Sequence, residues 1–196
     1  AHHGVRLCPP TPSERIAVVG LGPLGQLSAR LYALAGGDVL GVDVAAPRVA
    51  RLAAAGVRAA AVTDSIAAAV RAAFPDGAQT LVDATGVPTL IDAVLEAGAD
   101  KPWDDSPTRG LRYVIQGSYA DSFSVSYNAA FLKETSFYLP RDQQRCDMEE
   151  VIRLIAAGRL LVRDLADVRD PADAPAVFRE LQQKSVDLIT IAFKWC

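Results

Sequence analysis

Histidine and cysteine are scarce in this chain, with two of the first and three of the second in 196 residues. The cysteines, Cys8, Cys146 and Cys196, form no C-x-x-C pair and no even framework. A structural or catalytic metal centre needs a cluster of Cys, His or carboxylate ligands, and none can be assembled from this set. Cys146 precedes a helical pattern but has no histidine nearby in sequence to activate it, which speaks against a cysteine nucleophile. His2 and His3 are adjacent at the start, where they read as incidental residues of a mobile end. Unpaired thiols also exclude a disulfide scaffold and suit a reducing, cytoplasmic setting.

Long hydrophobic runs are missing too. No stretch reaches the ~18 uninterrupted apolar residues of a membrane span, and no signal-peptide pattern is present. Basic residues are not in excess: 20 Lys and Arg stand against 23 Asp and Glu, a net charge of −3. That balance lacks the footprint of a nucleic-acid or membrane-surface binder and describes an ordinary solvated exterior. The chain opens on "AHHGVRLCPP" and closes on "FKWC"; both ends read as cut from something longer.

What is present is a hydrophobic majority of 51%, enough for a large core, arranged in alternating strand and helix patterns. "RIAVVG" (15–20) is a short apolar run of the kind buried on both faces of a sheet. Leu24, Leu27, Leu31 and Leu34 then recur at helical steps until Gly36-Gly37. "DVLGVD" (38–43) is a second strand, and "PRVARLAAAG" (47–56) a helix that starts at proline and stops at glycine. Further strands are expected at 59–62, at 80–86 with its turn, at 111–118 and at 135–140. Helices are expected around 65–74, with Asp64 as cap, and from Pro88 to about Ala97. Strands alternating with short helices imply an α/β fold: a doubly wound, six-stranded parallel sheet.

Beyond residue 145 the rhythm changes. Asp147 with Glu150 forms a capping-box pattern for a helix ending at Gly158. Asp170-Pro171 opens another helix, and "DLITIAFKW" (187–195) is a strand without an evident partner, whose exposed "LITIAF" would favour self-association. One loop, "GADKPWDDSPTRG" (98–110), is long for a compact domain and carries the pair Asp104-Asp105, read as surface.

The stretch "VVGLGPLGQL" (18–27) carries the most chemistry. Gly20 permits a tight turn, Gly22 lets backbone approach a pyrophosphate, and Gly25 lets the helix pack close to the sheet. The helix N-terminus then faces the phosphate charge. Asp43 ends the second strand 23 residues after Gly20. A carboxylate there accepts both ribose hydroxyls of adenosine and repels a 2′-phosphate, which favours NAD over NADP. The plainer readings are a tight strand-to-helix turn and a turn or capping aspartate.

With "VVGLGPLGQLSARLYALAG", "VLGVD", "VDATG" and "VIQGSY" in order, the chain resembles the medium-chain dehydrogenase/reductase family, and within it the zinc-binding alcohol and polyol dehydrogenases. The tail "PADAPAVFRELQQKS" is similar to that family's closing segment. The resemblance implies a pyrophosphate turn at Gly20, Gly22, Pro23, Leu24 and Gly25, a ribose-binding acid at Asp43 and a basic adenosine neighbour at Arg48. It implies cofactor-lining backbone at Thr85-Gly86, nicotinamide-side backbone at Gly117-Ser118, and another nicotinamide-side contact at Pro140-Arg141. Tyr119 would be a wall of that region rather than an acid.

The resemblance also implies a Rossmann domain over 1–145 and, over 146–196, a segment returning to a catalytic domain that the chain lacks. Any zinc, and the polarisation of an alcohol or carbonyl substrate, would belong to that domain, so this chain would be inert alone. A homodimer through the sixth strand is also implied. Lys184-Ser185-Val186-Asp187 departs from the family pattern, which has arginine where Asp187 stands; an acid facing a diphosphate is unfavourable, so either Asp187 points elsewhere or cofactor affinity is reduced. The opening "IAVVGLGPLG…VLGVD" resembles a second class as well, the nucleotide-sensing regulatory domains of potassium transport; a methyltransferase fits the glycine spacing less well.

Overall fold

The computed structural model describes residues 1–105, 107–119, 122–183 and 188–195. Six parallel strands form one sheet: β1 (Arg15–Val19), β2 (Asp38–Asp43), β3 (Arg58–Ala61), β4 (Thr80–Asp83), β5 (Arg112–Ile115) and β6 (Ser136–Tyr138). Their order is β3-β2-β1-β4-β5-β6, so the chain winds outward from β1 in both directions. The doubly wound sheet expected from the sequence is therefore present.

Successive side chains of a strand point to opposite faces, and here both faces are covered. Ile16, Val18 and Val82 pack beneath α2 (Pro23–Leu34), α3 (Ala46–Ala54) and α7 (Arg145–Ala156). Ala17, Val19 and Leu81 pack on the other side beneath α4 (Ile66–Arg71), α5 (Ile91–Leu95) and α6 (Tyr127–Leu132). Two-sided burial is why β1 shows no polar alternation. The strand order reverses beside β1, and the crevice there, outside the carboxyl ends of β1 and β4, is where an open α/β sheet takes a ligand.

Several details differ from the sequence expectations. The start is helical: α1 (His2–Leu7) packs against α2 and α7. Ser65 caps α4, its hydroxyl accepting from the Ala68 N–H at 3.0 Å, so Asp64 does not. The capping box of α7 is formed by Gln144 and Asp147, and Cys146 lies inside the helix, exposed. The last strand, β8 (Thr190–Phe193), does have a partner. It pairs in parallel with β7 (Ala166–Arg169) in a separate two-stranded sheet, preceded by α8 (Ala174–Gln182). Leu188 and Ile189 are buried, so "LITIAF" is not an exposed run. The 98–110 loop leads into the start of β5, at the amino edge of the sheet and away from the crevice. Asp104 and Asp105 are exposed, as expected. Among the described residues no helix is long and apolar enough to cross a membrane.

His2 and Arg6 reach from α1 to Asp147, which is buried at the start of α7. His2 Nδ1 lies 2.8 Å and Arg6 Nε 2.9 Å from Oδ1. The Arg6 hydrogen bonds, outweighing burial and aided by the Gln144 N–H and His2, hold this carboxyl well below its ordinary value of 3.8. A depressed carboxyl stabilises the fold above its unfolded value, and that stabilisation is lost as pH falls through the folded value. Thermal melts between pH 6 and pH 2 should show wild type losing stability more steeply than Asp147→Asn below pH ~4. Parallel curves would mean the contact contributes nothing.

Candidate dinucleotide site

β1 ends at Val19 and α2 begins at Pro23, leaving Gly20, Leu21 and Gly22 to make the turn. Gly20 has φ +85°, the left-handed region that disfavours side chains, and its N–H donates to Val42 O at 2.9 Å. A Cβ at Gly25 would overlap the carbonyl oxygen of Gly20, so that glycine is what lets helix and turn meet. A Cβ at Gly22 would meet nothing within 4 Å. Packing therefore explains Gly20 and Gly25 but not Gly22, which faces open space at the N-terminus of α2. No side chain caps that terminus, and Pro23 occupies its first turn. Its free N–H groups and helix dipole make an anion cradle.

Asp43 closes β2 beside this turn and is only 6% exposed. Its Oδ2 accepts from the Leu21 N–H at 2.6 Å and its Oδ1 from the Ala45 N–H at 2.8 Å. Arg48 Nη1 stands 3.7 Å from Oδ2. A carboxylate has about four acceptor positions, so capacity for hydroxyl donors remains. Gln26, fully buried on α2, donates to the Arg48 carbonyl at 2.8 Å and ties the turn to α3. Gly22, Pro23, Asp43, Arg48 and Thr85 line one cleft of about 660 Å³.

A second cleft, of about 520 Å³, lies past the start of α2 and is lined by Leu24, Gly117, Ser118, Pro140, Arg141 and His2. Pro23 faces one cleft and Leu24 the other, so the N-terminus of α2 divides them. Gly86 and Gly117 carry no side chain where the turns after β4 and β5 stack. A Cβ on Gly117 would come 2.6 Å from the Gly86 N, and one on Gly86 2.8 Å from the Ser118 O. Of the eleven residues singled out from the sequence, nine line one cleft or the other, while Gly25 and Gly86 line neither and sit where the turns pack together. Lys184 to Asp187 lie outside the described residues.

Sequence reasoning passed over one residue, Asp83, although it stands inside the quoted "VDATG". It is fully buried at the end of β4. Its Oδ1 accepts from the Thr85 N–H at 2.9 Å and hydroxyl at 2.6 Å; its Oδ2 accepts from Tyr113 at 2.9 Å and Tyr119 at 2.7 Å. Burial, reinforced by Asp83, pushes both phenols above the usual tyrosine range. Tyr119 is thus a fixed donor to Asp83. Among the described residues no cluster of His, Cys, Asp and Glu could hold a metal ion.

No protein-family model and no curated protein sequence matches the chain. Solved structures do. The chain is similar to 2R,3R-butanediol dehydrogenase from Bacillus subtilis, with a TM-score of 0.83 and 17% identity, over 100% of this chain and 55% of that one. It is similar to benzyl alcohol dehydrogenase from Acinetobacter calcoaceticus, with a TM-score of 0.81 and 15% identity, over 98% of this chain and 54% of that one. An alcohol dehydrogenase from Escherichia coli in complex with NADH gives a TM-score of 0.79 and 15% identity, over 99% and 57% of the two chains. The fold is thus the α/β Rossmann fold found in these dehydrogenases. The chain spans about half the length of the structures it matches.

Proposed function

We propose that this chain is the NAD(H)-binding part of an oxidoreductase that transfers hydride between a nicotinamide and an alcohol or carbonyl, within the medium-chain dehydrogenase/reductase family. The observation that carries the reading is the open cradle at Gly22, set between glycines that packing requires and beside the buried acid Asp43. A dinucleotide fits the donor set. The α2 N-terminus takes the pyrophosphate, and Asp43 with Arg48 takes the adenosine ribose. Gly117, Ser118, Pro140 and Arg141 receive the nicotinamide half. Hydride chemistry belongs to the cofactor, and the protein supplies position and polarity.

Residues 1–145 form the cofactor domain in this reading, and 146–196 return toward a catalytic part outside this chain. That part polarises the substrate and holds any zinc, so the chain alone is inert. A cytoplasmic homodimer joined through the edge strand β6, beside exposed Leu139 and Phe131, accords with this reading. Calorimetric titration with NADH and NADPH tests the reading. Wild type should bind NADH at least about tenfold more tightly than NADPH, because Asp43 repels a 2′-phosphate. Asp43→Asn should lose that preference. Failure of wild type to bind either nucleotide would falsify the assignment.

A further inference from the structure

Asp83 is a fully buried carboxylate beneath the crevice, and the binding roles above leave it without a part. Its four hydrogen-bond donors, an N–H and three hydroxyls, are all neutral. Among the described residues no lysine, arginine or histidine pairs with it. Neutral donors satisfy its lone pairs but leave its charge in place, and a buried charge is screened far less than an exposed one.

Its position matters as much as its charge. The carbonyl of Asp83 accepts from Gln116 and Gly117 N–H, both at 2.8 Å, and its side chain holds Thr85. The residue therefore lies directly beneath the turns that follow β4 and β5, which reach the first cleft at Thr85 and the second at Gly117. A dinucleotide anchored by its ribose at Asp43 and by its pyrophosphate at Gly22 would extend its other end into the second cleft, which Gln116, Gly117 and Ser118 line. The ring at that end carries a positive charge when oxidised. It becomes neutral on accepting hydride, which brings two electrons and a proton.

We infer that Asp83 sets the redox poise of the bound nicotinamide: its buried, unpaired carboxylate favours the oxidised, cationic ring over the reduced, neutral one. The inference rests on the dinucleotide reading and adds to it a preference between the two oxidation states. Tyr119 and Tyr113 moderate the effect, because each hydroxyl draws part of the carboxylate's field onto itself.

The test is titration of the full chain with NAD+ and, separately, with NADH, read as the ratio of the two dissociation constants. Asp83→Asn keeps the side-chain shape, and both tyrosines can rotate to accept from the new amide. It should weaken NAD+ relative to NADH by about three- to tenfold. A tenfold change in that ratio corresponds to a shift of about 30 mV in the bound couple. Tyr119→Phe removes one moderating donor from a half-buried position and should move the ratio about twofold the other way. If Asp83→Asn does not fold, the Tyr119→Phe ratio decides the matter.

A role confined to holding the turns would loosen both ligands together. A constant ratio in the folded variants, with wild type binding, therefore overturns the inference and leaves the dinucleotide reading standing. No binding of either nucleotide by wild type overturns both.

Discussion

Gly25→Ala is expected to cost about 3 kcal/mol of stability and to abolish dinucleotide binding, whereas Gly22→Ala should leave stability within about 1 kcal/mol and still weaken NADH at least about tenfold. The two glycines sit three residues apart in one turn, and the contrast follows from what a methyl group would meet. At Gly25 it overlaps the Gly20 carbonyl, a backbone atom with no rotamer to move. Either α2 lifts from the sheet or the turn unwinds, and the cradle changes shape in both cases. At Gly22 the methyl enters empty space. The backbone there, at φ −67° and ψ −169°, is open to any residue. Only a ligand would meet that methyl.

Thermal melts of both variants, repeated with NADH, separate the two roles. For a chain of this size 1 kcal/mol corresponds to roughly 2–4 °C in Tm. Gly25→Ala should therefore melt about 10 °C lower than wild type. Gly22→Ala should melt near wild type but lose its gain on adding NADH. Wild-type NADH affinity in Gly22→Ala would show that the turn is shaped for packing alone. It would remove the main support for a phosphate at the helix N-terminus.

Local signals made much of this architecture readable from the residues. Strands buried on both faces, such as "RIAVV" and "DVLGVD", announce themselves as apolar runs, and Gly36 ends α2 where the periodicity stops. The candidate site was legible for the same reason, since its parts sit where strands end and the turn chemistry is local. What escaped depended on contacts distant in sequence. Asp83 looks like any strand-end acid until β5 brings Tyr113, 30 residues away, onto its carboxylate. His2 gains meaning only through Asp147, on the far side of the chain. At α7 the residues Asp147 and Glu150 suggested the cap, whereas the box forms one turn earlier, between Gln144 and Asp147. Asp147 is buried there against His2 and Arg6 of α1, a contact that its neighbours in sequence do not announce. β7 was missed because "ADVR" is short, largely exposed and half charged, so nothing but its pairing with β8 marks it as a strand.

Arg112→Met should be the most destabilising change away from the crevice, at about 3–5 kcal/mol. Arg112 lies buried at the start of β5 and pairs with buried Glu14, just ahead of β1. The arginine also donates to Pro9 O at 2.8 Å and to Thr80 Oγ1 at 3.1 Å. Glu14 accepts in addition from the Thr80 hydroxyl at 2.6 Å and from the N–H and hydroxyl of Thr11, both at 2.9 Å. The network thus ties the chain entering β1 to the amino ends of β4 and β5. Removing the arginine leaves a carboxylate in the interior without its charge partner, and that penalty, more than the lost contact, sets the magnitude. Replacing both residues by apolar ones of similar size, Glu14→Leu with Arg112→Met, should recover most of the loss, because no unpaired charge remains. The pH dependence separates this cause from simple loss of packing. In wild type, burial raises the Glu14 carboxyl, but the bonds from Arg112, Thr80 and Thr11 outweigh it and hold the group below 4.5. Its contribution is therefore present above that value and lost in acid. Without Arg112, burial gains weight and pushes the carboxyl up, so the variant recovers stability when protonated. The gap between wild type and Arg112→Met, measured by thermal melts, should accordingly narrow from pH 7 toward pH 4. A constant gap would assign the cost to packing instead of charge.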